Sequence, residues 1–405
     1  MKNEMKDIAG FKSHPDVLWM FILFFICVAV RILPAVKVFG TQDVQAMVSA
    51  VSLLGQGNSP FSQSIVFNQS PFWVGAVYHL GQILYFFHIA LPPHVLVKIL
   101  PIISDGIITL LIYLIFFKEF KVGNKRSISA ALFWALNPVS IIITSVHGNL
   151  VSIPAACLLF SLYLFIRFEE TQWVAIYCSS FVLGIAIMSK IWPIFVLPLI
   201  LQKIKTLKGQ IIYFLLSVMP LILSLMPIYF QERNVLFRNF FQYQGIPGWW
   251  GFTGLSAIWH AKAIMILVHF YIIHGAGVLL AVVFLLYLFK TANSDLFKGS
   301  VLIYLAVLFL IPGFGPQYFI WVLPFLIITE DKMLFPFLFY VTILFLIEYS
   351  YRPFVAPYMG AFISAEPPTL TLGQLIKDHV ITNLLRFPLW VFICGWFFKI
   401  LCFSK

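Results

Sequence analysis

The sequence predicts an all-α polytopic membrane protein of about twelve transmembrane helices, with two interfacial helices in the first outer loop. Three observations predict it: composition, the length of the apolar runs, and where the basic residues fall. Of 405 residues, 61% are hydrophobic and only 10% are charged, and the mean hydropathy is +0.97. A soluble domain cannot bury that much apolar surface, and the runs are long enough to cross a bilayer. Strand signals at barrel spacing are absent, so helices must satisfy the backbone in lipid. Lys and Arg gather in short loops between apolar runs, which marks those loops as cytoplasmic. The net charge of +11 therefore reads as orientation and attraction to anionic lipid, with no nucleic-acid partner. Cys27, Cys157, Cys178, Cys394 and Cys402 all fall in apolar segments, as small hydrophobes outside any disulfide or metal framework. The chain reads as one integral membrane domain over 1–405, with no cleavable signal, because its first apolar run follows a polar segment and is full-length.

Each element follows from length and charge. Lys2, Lys6 and Lys12 place the N-terminus inside, before a first span at 17–38. The outer loop from Gly40 to Pro93 has no Lys or Arg, and Asp43 is its only acid. Thr41 to Leu54 alternates at helical spacing and ends at Gly55 and Gly57, which predicts an interfacial helix. Phe72 to Ala90 is apolar enough to span. If it crossed, Lys118, Lys121, Lys125 and Arg126 would lie outside, so it is assigned as a second interfacial helix. The second span is then 95–117. Spans follow at 127–146, 150–167, 173–188 and 191–202, with a seventh ending near Phe230. Later spans are 263–289, 299–312, 316–329, an eleventh before Tyr351, and 381–403, which leaves the C-terminus inside. Three outer loops are long and chemically varied, so the working surface is expected outside.

Few outer residues carry chemistry. The acids are Asp43, Glu232, Glu366 and Asp378, with Glu348 at an edge. Asp43 is the candidate general base, and its bland alternative is an N-cap for the helix that follows. His147 is a second candidate, against a loop histidine bonded to backbone. The outer cations are Lys190, Arg233, Arg238, Lys262, Arg352 and Lys377. Arg233 and Arg238 share a loop with Trp249, Trp250 and Trp259, which suits a lipid phosphate and its sugar, or equally an aromatic belt with anchors. Lys98 and Asp105 lie inside the second span, too far apart for a direct pair. Ionisable groups at that depth are costly and often functional, though Asp105 could equally hold a neighbouring helix.

Several stretches resemble the C-type glycosyltransferases. Asp43 with its helix, Gly57-Asn58-Ser59-Pro60-Phe61 and Ser70-Pro71-Phe72 resemble that family's first outer loop. Asn137-Pro138 with Ser145-Val146-His147-Gly148-Asn149, and Lys190-Ile191-Trp192-Pro193 with Leu197-Pro198, are similar to its later motifs. Gly248-Trp249-Trp250-Gly251 looks like its middle-loop Trp-Gly. Gly315-Pro316-Gln317-Tyr318-Phe319-Ile320-Trp321-Val322-Leu323-Pro324 resembles the Pro-Gln-Tyr-x-x-Trp-x-x-Pro of bacterial polyprenol-dependent members and GPI mannosyltransferase relatives. The sequence departs from the pattern where Leu150 and Val151 follow Asn149, where Ser-Pro-Phe replaces Tyr-Pro-Pro, and in lacking a second acid near Asp43.

The resemblance implies a polyprenyl-phosphate sugar donor, mannose favoured, and inverting transfer to a lipid-linked or cell-envelope glycan acceptor at the outer or luminal face. Asp43 is then the catalytic base. His147, Asn149, Lys190, Arg233, Arg238, Trp250, Gln317, Tyr318 and Arg352 are the substrate-binding candidates. No cofactor or metal is expected, and a membrane-protein partner stays open. A lipid or solute transporter, or an inactive scaffold of the same fold, remains the alternative.

Overall fold

A computed structural model describes residues 14–61, 69–168, 173–236, 246–248, 250–259, 261–291, 294–351 and 372–403. The described residues are all-α apart from one two-residue ladder. Helix α1 (His14–Lys37) leads to α2 (Gln42–Gly55) and α3 (Pro71–Phe86). Helix α4 (Pro93–Leu114) continues as a π-helical turn to Glu119. Helix α5 (Asn124–Ala135) is followed by α6 (Pro138–Ile141), which runs into a π-helical turn over Ile142–His147. Then come α7 (Ser152–Arg167), α8 (Ser179–Ser189), α9 (Leu197–Leu201) and α10 (Leu207–Leu236). The remaining helices are α11 (Gly251–Ile258), α12 (Lys262–Phe289), α13 (Leu296–Leu310), α14 (Phe319–Ile328), α15 (Leu334–Tyr351) and α16 (Leu372–Phe403).

Among the described residues five helices are long and apolar enough to cross a membrane: Val17–Lys37, Pro93–Glu119, Leu207–Phe230, Lys262–Phe289 and Asn383–Cys402. A sixth is added if Asn124–Ala135 and Pro138–His147, bent by 40° at a break, form one span. The bend falls at Asn137-Pro138, where proline removes a backbone donor. Six further apolar helices are 10–17 residues long. At 1.5 Å per residue the longest of these reaches only about 25 Å, short of a hydrocarbon core of roughly 30 Å. The expected twelve crossings would need these shorter helices to cross with the help of the non-helical backbone beside them. Such backbone is tolerated at depth when it is enclosed by protein.

Burial explains which helices sit where. Every residue of α14 is buried, and α13 is buried from Leu296 to Leu308 except at Lys298, so these two form the centre. The sequence of α14 and that of α13 from Val301 onward are apolar without a polar face, which fits that position. On the periphery, α1 exposes Leu18, Phe21, Phe25 and Leu33, while α12 exposes Ile266, Phe270, Phe284 and Phe289. Bands of large exposed apolar side chains on long helices suit a lipid-facing perimeter.

The sequence reading foresaw no strand pairing. Ile246–Pro247 nonetheless pairs antiparallel with Gly313–Phe314, with Ile246 opposite Phe314. The ladder joins the segment before α11 to the segment between α13 and α14. Trp250 stacks on Phe314 at 4.4 Å and gives its indole N–H to the carbonyl of Leu308.

Two buried ion pairs staple the helices. Arg31 Nε donates to Asp105 Oδ2 at 2.6 Å, and both side chains are fully buried. The same guanidinium reaches the carbonyls of Cys27 and Ala135 and the hydroxyl of Ser140. Asp105 Oδ2 also accepts from Thr144 at 2.7 Å. Asp105 thus holds its neighbours through a hydroxyl and an arginine from α1, and it makes no bond to Lys98. The second pair is Arg386 with Glu348, at 2.5 Å.

Candidate functional site

Four residues after α1 ends, the backbone turns at Thr41 into α2. Thr41 Oγ1 accepts from the amide of Asp43, so Thr41 caps the helix. The capping role considered for Asp43 therefore belongs to Thr41, and the Asp43 carboxylate is free for other bonds. Thr41 also donates to the carbonyl of His147, through its amide at 3.2 Å and its hydroxyl at 3.0 Å. That double contact joins the start of α2 to the end of the π-helical turn.

The Asp43 carboxylate is held by one oxygen. Oδ2 accepts from His147 Nε2 at 2.9 Å and from Asn149 Nδ2 at 2.6 Å. Among the described residues no hydrogen-bond donor reaches Oδ1, and 38% of the side chain stays accessible. His147 is in turn held at its other nitrogen, with Nδ1 2.5 Å from the hydroxyl of Tyr349. If Tyr349 donates there, the neutral imidazole carries its proton on Nε2 and gives it to Asp43. Asn149 is fixed as well: its Oδ1 accepts from the amide of Val151 at 2.9 Å, at the entry to α7.

Local backbone makes this convergence reachable. Gly148 has φ +75, and a Cβ placed there would lie 2.1 Å from Val44 Cγ2. Gly40 has φ +117, and a Cβ there would meet the same methyl at 2.6 Å. Glycine is needed at both positions, for left-handed backbone and for close approach. Together they let Val44, and so the first turn of α2, settle against the loop bearing His147 and Asn149.

Electrostatics hold the carboxylate ionised. Burial works to raise the Asp43 pKa. The hydrogen bond from His147, the charges of His147 and Lys190, and the hydrogen bond from Asn149 outweigh it and bring the group down to about 2. Lys190 is likewise held below its ordinary value: burial lowers it and outweighs the raising effect of the Asp43 charge.

Lys190 and Asn149 also open onto a cavity of about 430 Å³. Its walls come from α8, α10, α12, α13 and the stretch from Ile311 to Trp321, and they are mostly apolar. Gln317, Tyr318, Trp192 and Trp321 supply its polar and aromatic part. Tyr318 stacks on Trp321 at 4.2 Å, and Trp321 stacks on Trp192 at 5.2 Å. Gln317 Oε1 and the indole nitrogens of Trp192 and Trp321 are buried without a hydrogen-bond partner among the described residues. Buried polar atoms without partners are uncommon, and their concentration around one cavity suits a polar group of a ligand. Trp73, on α3, reaches the same rim by donating to Ser189 Oγ at 2.7 Å.

The predicted residues therefore divide. Asp43, His147 and Asn149 converge through direct bonds. Lys190, Gln317 and Tyr318 line the adjoining cavity with Asn149. Trp250 is fully buried with its N–H spent on Leu308, which makes it a packing residue of the ladder. Arg233 is exposed, its guanidinium 5.6 Å from the centre of the Tyr229 ring, and it does not line the cavity. Arg238 and Arg352 lie outside the described residues. Sequence reasoning passed over Tyr349, Arg31 and Trp192 as chemistry-bearing residues. Arg31 carried a signal, since a cation within a span asks for a buried carboxylate. Tyr349 carried none. Among the described residues no three His, Cys, Asp or Glu side chains are placed to share one metal ion. Compared with protein-family models and with curated proteins, the chain matches none.

Proposed function

We propose that this protein is an inverting glycosyltransferase that moves a hexose, mannose favoured, from a polyprenyl-phosphate donor to a hydroxyl of a lipid-linked or cell-envelope acceptor. The observation that carries the reading is the Asp43 carboxylate: one oxygen anchored by His147 and Asn149, the other without a donor among the described residues, beside a cavity with a cation at its rim. The resemblance of Pro316-Gln317-Tyr318 and its neighbours to that family supports it. In this reading about twelve segments cross the membrane, both termini are cytoplasmic, and the site opens on the outer or luminal face.

The chemistry follows from the geometry. An acceptor hydroxyl sits against Asp43 Oδ1 and attacks the anomeric carbon from the face opposite the phosphate. Its proton passes to Oδ1, the new C–O bond forms, and the bond from the anomeric carbon to the phosphate oxygen breaks, releasing polyprenyl phosphate. A carboxylate of low proton affinity suffices, because the hydroxyl becomes strongly acidic as it bonds to an oxocarbenium-like centre. Lys190 offsets the charge gathering on the departing phosphate. The apolar cavity, with stacked Trp192, Trp321 and Tyr318, receives the sugar and the first part of the prenyl chain. The transporter alternative leaned on Lys98 and Asp105. Both are engaged in bonds between helices, which removes its main support.

The test is reconstitution of the purified protein in lipid vesicles with polyprenyl-phosphate hexoses and a glycolipid acceptor, following labelled sugar transfer. Transfer of one hexose with inversion is expected. Passage of the lipid or solute across the bilayer without transfer would favour the transporter.

A further inference from the structure

Lys98 is fully buried in α4 and takes no part in the chemistry above. Its ammonium has three donors and three acceptors: the carbonyls of Val38 at 2.6 Å, Ser145 at 2.8 Å and Ala35 at 3.4 Å. None is a carboxylate. Two acceptors belong to the end of α1 and the third to the end of the π-helical turn. Both are helix C-termini, where carbonyls lack intrahelical partners and the backbone dipole is negative. One cation therefore neutralises and ties together two chain ends that arrive from different parts of the sequence. Val38 stands five residues before Asp43, and Ser145 stands two before His147. The Lys98 stem passes beneath Gly148, where a Cβ would lie 3.0 Å from its Cε.

We propose that Lys98 is a positioning residue that sets the spacing between Asp43 and His147 by clamping the segments that carry them. The proposal rests on the glycosyltransferase reading for its catalytic consequence, but the clamp itself is a structural claim. A methionine would fill the same space and keep α4 packed, but it would release all three carbonyls. The Thr41 bonds to the His147 carbonyl would remain, so the fold is retained while the two segments gain freedom.

The experiment uses the full-length protein with Lys98→Met, and with Lys98→Gln as a milder variant that keeps an N–H donor. Backbone hydrogen exchange is followed by mass spectrometry beside steady-state kinetics with a polyprenyl-phosphate hexose. Faster exchange confined to peptides covering 39–47 and 144–151 is expected, with 299–310 unchanged. The turnover number should fall roughly 10- to 100-fold in Lys98→Met, as small misplacements of catalytic groups do, while the donor KM holds. Lys98→Gln should fall between Lys98→Met and the parent in both readouts. Unchanged exchange at the two segments would overturn the clamp, and so would a rise spread over the whole chain. Local loosening with an unchanged turnover number would overturn the positioning role. If the parent protein transfers no sugar, the functional reading fails, and the exchange result still decides the clamp.

Discussion

His147 Nε2 lies 2.9 Å from Asp43 Oδ2, although 104 residues separate the two in the chain. The contact orients the carboxylate and lowers its pKa, so its loss should be visible in pH dependence. The folded Asp43 carboxyl sits near 2, against an ordinary value of 3.8. A depressed carboxyl contributes stability above its unfolded pKa and loses it as pH falls through the folded one. That contribution is complete above about pH 4 and fades toward pH 2. The base therefore stays ionised across the working range. The parent enzyme should show no acid limb assignable to Asp43 above about pH 4. In His147→Ala the limb should move up, because two lowering influences are gone while burial remains. An unchanged profile in that variant would contradict the assigned contact.

Tyr349 should act on the site through His147. Tyr349→Phe removes the hydroxyl that faces Nδ1 and leaves the ring in place. Turnover should drop several-fold, with donor KM unchanged, and ¹⁵N spectra of His147 should show a mixture of ring tautomers in place of one. A single unchanged tautomer would contradict this role.

How much of this was readable beforehand depends on range. Asp43, His147 and Asn149 each stood out locally, as an isolated acid or as part of an outer-turn motif. Their convergence is a long-range contact, and nothing periodic encodes it. The π-helical turn over Ile142–His147 was likewise hidden, because its apolar residues read as ordinary span. For Phe72 to Ala90 a charge argument predicted an interfacial helix broken by Gly75 and Gly81; the structure holds one helix, Pro71–Phe86, that runs unbroken through both glycines, and its sidedness is what the labelling below reads. The helices of the described residues fall into two lengths, five or six long enough to cross and six shorter, and uniformly apolar sequence such as that of α14 carries no mark of which length it will take.

The Arg31–Asp105 pair should be a stability element. Asp105→Asn leaves the Arg31 charge buried with only neutral partners, and breaking such a pair costs about 3–5 kcal/mol. A clear fall in the unfolding midpoint is expected, with a similar fall for Arg31→Met. The double variant should be less destabilised than the sum of the two, since neither charge is then stranded. Additive losses would contradict a direct pair.

Topology can be read by labelling Asn58→Cys, His88→Cys and Gly123→Cys with a membrane-impermeant reagent in sealed vesicles. Positions 58 and 88 should label from the same side and 123 from the other. Opposite sidedness for 58 and 88 would mean that the Pro71–Phe86 segment crosses.

Asp43→Asn tests the central claim most directly. Asparagine keeps the size of the side chain and can still accept from His147, but it cannot take up a proton. The variant should fold and bind donor like the parent, and its transfer rate should fall at least about a hundredfold, the usual contribution of a general base. Near-parent transfer by a well-folded Asp43→Asn protein would contradict the assignment of Asp43 as the base.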